Sequence, residues 1–299
     1  MTRLASQRKT YLDAGLLKPI SENYLLTKAG LYLLIGSIGS GKSYFISRHI
    51  LYTDQLVNET TGEKGFYRSV IIITSGNKSD ETTESFLKGV KNTIIVRVSE
   101  TEAIPFLNEL FRVKRKYYAL YKAFMSELKD LDDEAERIFN KYSFPRDLQV
   151  ISKMKTSDRR NPLSYMVKKF VEYQAFFYPI RTLIVFDDSA SSYLISKRNS
   201  DLVKMIKTCR HNHSTVILAA QSISDSILDL KRVATDIVIW RNVSYRDLDK
   251  LITDIYVPHQ DVPEGMTVKQ YIMELHSKLP DKRSKIIIHL VANRILVEN

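Results

Sequence analysis

The sequence predicts a doubly wound α/β fold, in which a mostly parallel sheet is covered by helices on both faces. Three observations predict it: short aliphatic runs without polar alternation, helical patterns between those runs, and a glycine-rich loop after the first run. Strands that are apolar throughout are typical of a sheet buried on both sides. The alternation of strand with helix favours parallel strands joined by helical crossovers.

Seven segments rich in β-branched and aliphatic residues are predicted to be strands. They are Leu31–Ile35, Ser69–Thr74, Thr93–Val98, Thr182–Phe186, Thr215–Ala219, Ile237–Trp240 and Lys285–Leu290. Helical patterns fall between them, at about Ser43–Gln55, Asp80–Gly89, Ser200–Arg210 and Ser244–Ile255. The last apolar segment is followed, after a short polar break, by a second run at Arg294–Val297, which predicts a C-terminal hairpin.

The chain is expected to divide into three parts. Residues 1–24 are predicted to form a basic arm, and residues 25–255 the main domain, with an insertion at about 101–179. The insertion starts with one long helix or a helical pair and continues into a basic segment. That segment carries Lys153, Lys155, Arg159 and Arg160, which are candidate contacts for nucleic acid. Residues 256–299 form a C-terminal extension that ends in the hairpin.

The composition favours a polyanionic partner. The formal charge is +11 and the isoelectric point is about 9.4, which suits nucleic acid. No apolar run approaches the length of a membrane span, so no membrane partner is expected. The single cysteine, Cys209, excludes an internal disulfide and is typical of an intracellular protein.

The glycine-rich loop has the pattern G-x-x-x-x-G-K-[ST], met by Gly36, Gly41, Lys42 and Ser43. By average residue usage this occurs by chance in roughly one chain in a hundred. A buried strand before the loop and a helix after it make this a phosphate-binding loop. Its backbone N–H groups face the phosphates, Lys42 spans the β- and γ-phosphates, and Ser43 holds Mg²⁺. The predicted nucleotide contacts are Gly36, Ser37, Ile38, Gly39, Ser40, Gly41, Lys42, Ser43 and Tyr44.

Two acids follow a later apolar strand, in the stretch Leu183–Asp188. Beside a phosphate loop, Asp187 is predicted to position Mg²⁺ and Asp188 to polarise the attacking water. The alternative is a strand followed by a helix cap, since Asp and Ser are favoured in caps. Two acids, rather than one acid and a neutral residue, favour hydrolysis over simple switching.

A third polar element is Gln221, which follows the strand Thr215–Ala219. Ligands lie at the carboxyl ends of such strands, so Gln221 is expected to sense the γ-phosphate, unless it is an ordinary surface glutamine. Arg210 comes at the end of the preceding helix, where a cation offsets the helix dipole. The stretch Asn77–Asp80 spells the guanine-reading motif N-K-x-D, but it comes too early in the chain, and Asp80 is expected to cap a helix.

Taken in chain order, the loop, the paired acids, the arginine at a helix end and the strand ending in glutamine resemble the FtsK–HerA superfamily of DNA-pumping ATPases. The stretches LIVFDDSAS (Leu183–Ser191) and CRHNHSTVILAAQS (Cys209–Ser222) are similar to the genome-packaging ATPases of poxviruses and other large double-stranded DNA viruses. The stretch TDIVIWRNVSYRD (Thr235–Asp247) is similar to the family's next strand and turn. The resemblance covers about residues 25–100 and 180–255.

The resemblance implies a RecA-like core with an additional strand, a ring usually of five or six subunits, and ATP with Mg²⁺ as cofactors. It implies translocation of double-stranded DNA into a capsid, with a capsid or portal-vertex protein as partner, in the host cytoplasm (viral factory) or the virion. It further implies that Asp188 is the general base and that a neighbouring subunit donates an arginine finger. Arg210 matches best, with Arg241 and Arg246 as alternatives.

Other functions remain open at the level of the sequence. A cellular or conjugation-type pump would use the same chemistry with another partner. A small-molecule kinase would phosphorylate an acceptor and ignore DNA. A non-catalytic DNA-binding scaffold would use the nucleotide only to lock its shape. ATP turnover with and without DNA separates these classes.

Overall fold

The computed structural model describes residues 29–56, 65–67, 69–74, 87–128, 182–187, 201–212, 214–223, 225–253, 255, 262–291 and 294–298. Within these ranges the chain forms eight strands. They are β1 (Leu31–Ile35), β2 (Ser69–Thr74), β3 (Ile94–Ser99), β4 (Thr182–Phe186), β5 (Ser214–Ala220), β6 (Asp236–Trp240), β7 (Lys285–His289) and β8 (Arg294–Glu298).

The same ranges contain six α-helices and two short 3-10 turns. The helices are α1 (Lys42–Gln55), α2 (Glu100–Leu128), α3 (Asp201–Lys207), α4 (Asp225–Leu230), α5 (Tyr245–Ile252) and α6 (Val268–Lys278). The 3-10 turns are Cys209–Asn212 and Lys231–Val233. None of the helices in the described part of the chain is long and apolar enough to cross a membrane.

The strands form one sheet in the order β3-β2-β4-β5-β1-β6-β7-β8. Strands β1 to β6 are parallel, whereas β7 pairs antiparallel with β6 and β8 pairs antiparallel with β7. The carboxyl ends of the six parallel strands therefore meet at one edge, which is called the carboxyl edge below. The opposite edge, where these strands begin, is called the amino edge.

Both faces of the sheet are covered by helices. Successive residues of a strand point to opposite sides, so each strand contributes side chains to both faces. In β1, Leu31 and Leu33 join a cluster formed with helices α2 to α6, whereas Tyr32 and Leu34 join a cluster formed with α1. Apolar residues at nearly every strand position are thus explained by burial on both sides. The doubly wound α/β prediction is confirmed.

Strand β5 lies between β1, which leads into the glycine loop, and β4, which leads into Asp187. This additional strand is the arrangement that the resemblance implied for the fold. The predicted hairpin is also confirmed, since β7 and β8 pair in register from Lys285 with Glu298 to His289 with Arg294. The C-terminal extension continues the main sheet through β6 and β7.

The predicted strand bounds agree with the structure to within one residue, and the insertion does begin with a long helix, α2. Helices α4 and α6 were not predicted. The arm at 1–24, the rest of the insertion from residue 129 to about 179, and most of the helix predicted at Asp80–Gly89 lie outside the described residues.

Candidate nucleotide-binding site

The conformation of the loop between β1 and α1 depends on its three glycines. Gly39 and Gly41 have φ angles of 75° and 97°, a region that other residues rarely adopt. Gly36 is needed for space, because a Cβ there would lie 2.7 Å from Ser40 Oγ and 3.0 Å from Trp240 Cβ. The three glycines let the loop bend sharply and pass close to β6.

Helix α1 begins at Lys42, directly after the loop. Its N-cap residue is Gly41, which has no side chain to bond the first N–H groups, and no acidic residue occupies the first turn. The start of a helix carries a partial positive charge and N–H groups without intrahelical partners. This arrangement is suited to bind an anion such as phosphate.

Lys42 is buried, with 7% of its surface exposed. Its Nζ donates hydrogen bonds to the carbonyl oxygens of Gly36, at 2.6 Å, and Ser37, at 3.1 Å. The ammonium group is therefore held inside the loop by backbone acceptors that belong to the loop itself. A phosphate oxygen bound by the loop can replace these carbonyl oxygens as acceptor without moving the lysine backbone.

Ser43 and Asp187 meet although they are 144 residues apart in the sequence. Ser43 Oγ donates a hydrogen bond to Asp187 Oδ1 at 3.2 Å. Asp187 is fixed from its own side, since its backbone N–H donates to the carbonyl oxygen of Ile73 at 3.2 Å. A hydroxyl and a carboxylate side by side at the start of a helix are hard oxygen ligands of the kind that Mg²⁺ prefers.

Gln221 is half-buried at the end of β5, and the strand order brings this end between the loop and Asp187. The end of β5 also contacts the loop directly, because Gly36 N donates to the carbonyl oxygen of Ala220 at 3.1 Å. Gln221 thus lies at the carboxyl edge with the loop and Asp187. Asp188, the predicted base, lies outside the described residues.

Asn242 is a contact of the loop that the sequence did not single out. Its Oδ1 accepts a hydrogen bond from Ser37 N at 3.2 Å, and its carbonyl oxygen accepts one from Ser37 Oγ at 3.5 Å. The two residues are 205 positions apart, so only the pairing of β6 with β1 brings them together. The signal that could have found Asn242 is its place just after a buried strand.

The three candidate arginines lie at different edges. Arg210 is exposed in the 3-10 turn before β5, at the amino edge, and its guanidinium donates to the carbonyl oxygen of Val233 at 3.2 Å. Arg241 follows β6 at the carboxyl edge, where its Nε donates to the carbonyl oxygen of Leu279 at 3.3 Å. Arg246 is exposed on α5, close in sequence to that edge. Arg210 is therefore separated from the loop of its own subunit by the length of β5.

The arrangement at the carboxyl edge can bind a polyphosphate with the loop and a divalent cation with Ser43 and Asp187. Residues from three separate parts of the sequence, at Gly36–Ser43, Asp187 and Gln221, are brought to it by β1, β4 and β5. This grouping does not by itself assign a reaction.

No protein-family model matches this chain, and no curated protein sequence matches it. Among solved structures, it is similar to the genome packaging NTPase B204 from Sulfolobus turreted icosahedral virus 2 in complex with ATP-gammaS, at 13% identity and a TM-score of 0.44, over 90% of this chain and 97% of that one. It is similar to B204, the DNA-packaging ATPase from Sulfolobus Turreted Icosahedral Virus, at 14% identity and a TM-score of 0.46, over 92% and 98% of the two chains.

It is also similar to the cytoplasmic domain of the Thermomonospora curvata Type VII Secretion ATPase EccC, at 12% identity and a TM-score of 0.47. That match covers 90% of this chain but 25% of the other. At identities and TM-scores of this size, the assignment of a function rests on this chain's own residues.

Proposed function

We propose that this chain is an ATP-hydrolysing motor that translocates double-stranded DNA, and that it packages a viral genome into a preformed capsid. The observation that carries the proposal is the 3.2 Å hydrogen bond between Ser43 Oγ and Asp187 Oδ1. It joins the end of the phosphate loop to the acid that follows β4. A glycine turn with an incidental lysine would have no reason to meet an acid 144 residues away.

The loop residues bind and orient the triphosphate in this proposal. The N–H groups at the start of α1 face the β-phosphate, and Lys42 exchanges its two carbonyl acceptors for phosphate oxygens. Because Lys42 is buried, its charge is poorly screened by water and stabilises negative charge on the phosphates strongly. Preorganised donors of this kind lower the barrier because they do not need to reorganise during the reaction.

ATP and Mg²⁺ fit the residues present. The hydroxyl proton of Ser43 is directed to Asp187, so the lone pairs of Ser43 Oγ remain available to a cation. Ser43 would hold Mg²⁺ directly and Asp187 through its water shell. When bound, Mg²⁺ neutralises charge that develops on the β- and γ-phosphates.

Asp188 is proposed to accept a proton from the attacking water, since it directly follows Asp187 in the sequence. Gln221 is proposed to bond the γ-phosphate and to report its loss along β5. The alternative for Asp188, a helix cap, would leave hydrolysis unaffected by its removal.

The chain's charge of +11 supports a duplex DNA substrate, because Lys and Arg that neutralise DNA phosphates release counterions. The resemblance to viral packaging ATPases supports a homo-oligomeric ring, a capsid or portal-vertex partner, and action in the host cytoplasm or the virion. The basic segment around Lys153–Arg160 is proposed to contact the DNA backbone.

The test is phosphate release from ATP by the wild-type protein with and without duplex DNA. The proposal predicts turnover that duplex DNA stimulates whatever its sequence, with a stimulation that falls steeply as salt rises. Asp188→Asn should bind ATP as before and turn over roughly a hundredfold or more slowly. Phosphate found on an added acceptor would identify a kinase instead, and binding without turnover would identify a scaffold. Equal rates in Asp188→Asn and the wild type would refute the assignment of the base.

A further inference from the structure

Tyr245 is a large aromatic side chain that the fold leaves exposed, three positions after a residue that contacts the phosphate loop. It is 72% exposed, at the first position of α5. A tyrosine normally buries most of its ring, so an exposed ring close in the fold to a proposed ligand site is a candidate contact for that ligand.

The position of Tyr245 is fixed by the turn between β6 and α5, which is attached to the loop. Asn242 in that turn accepts the hydrogen bond from Ser37 N, and Ser244 caps α5 by accepting a hydrogen bond from Asp247 N at 3.1 Å. Tyr245 therefore lies three positions after the residue that contacts the loop. The turn before Tyr245 is thus attached to the loop through Asn242, and Tyr245 itself begins a helix that Ser244 caps.

The strand order determines the direction in which a nucleotide extends. On one side of β1 lie β5 and β4, which end in Gln221 and Asp187. These residues and Ser43 occupy the side where the γ-phosphate and the cation are proposed to lie. On the other side of β1 lies β6, and its end carries the turn with Asn242 and Tyr245. A nucleotide with its terminal phosphate towards Asp187 extends its nucleoside towards this turn.

We infer that Tyr245 is the stacking platform for the base of the bound nucleotide, and that Asn242 is a positioning residue that holds the platform against the phosphate loop. The inference rests on the proposed ATPase function. An aromatic ring binds a base through its face, independently of the groups on the edge of the base. The platform therefore favours the larger purines over pyrimidines and discriminates weakly between adenine and guanine.

Tyr44 is the rival platform, since it is 44% exposed on α1. Its ring is already engaged by the guanidinium of Arg48, which lies 5.5 Å from the ring centroid. This contact covers one face of the Tyr44 ring, and Tyr44 is less exposed than Tyr245. The geometry therefore favours Tyr245.

The test compares the dissociation constants of ATPγS and of inorganic tripolyphosphate, each with Mg²⁺, by titration calorimetry. Tyr245→Ala should weaken ATPγS by roughly tenfold, as loss of a base-stacking aromatic does, and leave tripolyphosphate unchanged. Tyr245→Phe keeps the ring and should bind ATPγS as the wild type does. Lys250→Ala is the matched control, since Lys250 is exposed on the same helix. The high exposure of Tyr245 means that its removal should not affect folding.

Wild-type affinity for ATPγS in Tyr245→Ala, or an equal loss for both ligands, would overturn the inference. A loss in Tyr44→Ala that is confined to ATPγS, with Tyr245→Ala unaffected, would move the platform to α1. The same experiments distinguish failure of this inference from failure of the proposed function. A wild-type protein that binds ATPγS through Tyr245 but releases no phosphate would keep the platform and refute the motor.

Discussion

Lys42 and Lys114 are both buried lysines, and they lie at opposite edges of the same sheet. Lys42 is 7% exposed at the carboxyl edge, and Lys114 is 5% exposed at the amino edge. The acceptors of Lys42 are backbone carbonyls of a glycine loop. The acceptors of Lys114 are Thr182 Oγ1 and Ser214 Oγ, both at 3.0 Å, on the first residues of β4 and β5.

The two lysines differ in the elements that carry their acceptors. Thr182 and Ser214 are register partners in neighbouring parallel strands, and Ser69 continues the row in β2. Lys114 comes about 21 Å along α2 from its start, enough to cross the sheet from the carboxyl edge to this row. Its amine bonds to the starts of two strands, β4 and β5. The carbonyl oxygens that hold Lys42 belong to the loop that is proposed to bind phosphate, whereas the hydroxyl groups that hold Lys114 belong to the sheet.

The difference between the two edges can be tested on Arg210, the residue that best matches the arginine finger implied by the resemblance. Because Arg210 lies at the amino edge, it should act on the loop of a neighbouring subunit, and an arginine finger is worth roughly a thousandfold in rate. Arg210→Ala and Lys42→Ala should each be inactive alone. Co-assembled, they should regain part of the activity, because a Lys42→Ala subunit supplies its arginine to an intact loop. Phosphate release from the mixed ring measures this.

Recovery in mixtures of Arg241→Ala with Lys42→Ala, and none with Arg210→Ala after confirmed co-assembly, would make Arg241 the finger. Arg241 lies at the carboxyl edge, so that result would also mean that the amino edge supplies no residue to catalysis.

Truncation of Lys114 should destabilise the protein without touching the site. Lys114→Ala removes a buried side chain and leaves a cavity, and should lower the free energy of unfolding by about 3 kcal/mol. Lys114→Met keeps the volume, and should stay within about 1 kcal/mol of the wild type, because replacing a buried charge by an apolar group is often neutral. Urea unfolding measures both. Equal losses in the two variants would show that the amine, and not its packing, fastens the helix.

The charge of Lys114 should appear in the pH dependence of stability. Burial lowers the pKa of Lys114 to about 7, from an ordinary value of about 10.4. Between these values the unfolded chain binds a proton that the folded chain does not, so the free energy of unfolding should rise as pH rises from 7 to 10.4. Lys114→Met should lack this rise. Parallel curves for the two proteins over that range would contradict the lowered pKa.

A second pH effect is expected from His49 in α1, behind the phosphate loop. Its side chain is fully buried, and neither ring nitrogen has a hydrogen-bond partner among the residues that the structure describes. Burial lowers its pKa to about 3. Below about pH 6.5 the unfolded chain binds a proton at His49 that the folded chain does not. The free energy of unfolding should therefore decline as pH falls from about 6.5 towards 3.

His49→Phe keeps an aromatic ring against Tyr67 and should remove that decline, as thermal unfolding at pH 7.5 and pH 5 would measure. An unchanged difference between wild type and variant at the two pH values would contradict the prediction.

The predictable part of this protein is the part whose signal is local. The phosphate loop could be recognised because its glycines, lysine and serine are adjacent in sequence, and the strands because they are apolar on both faces. Lys114 could not be recognised, since its acceptors are 68 and 100 residues away. The contact of Asn242 with the loop likewise depends on the pairing of β1 with β6. Local sequence patterns do not determine the order of strands in a sheet.

Helix α6 is a different case, because its signal was present. Thr267 and Gln270 form a capping box, in which each side chain bonds the backbone N–H of the other residue. The T-x-x-Q spacing is a recognised helix start, and it could have predicted α6 from the sequence. Helix α4 spans only Asp225–Leu230, which is too short for a helical period to show.

The most direct measurement is ATP turnover by the wild type, Lys42→Met and Lys114→Met, compared at equal concentration. The two substitutions are chemically identical and remove one buried amine from each edge of the sheet. Lys114→Met is expected to hydrolyse ATP at the wild-type rate. The rate of Lys42→Met is expected to fall roughly a hundredfold or more, because a preorganised charge is removed from a reacting phosphate. Wild-type turnover in Lys42→Met would contradict the assignment of the carboxyl edge as the catalytic site.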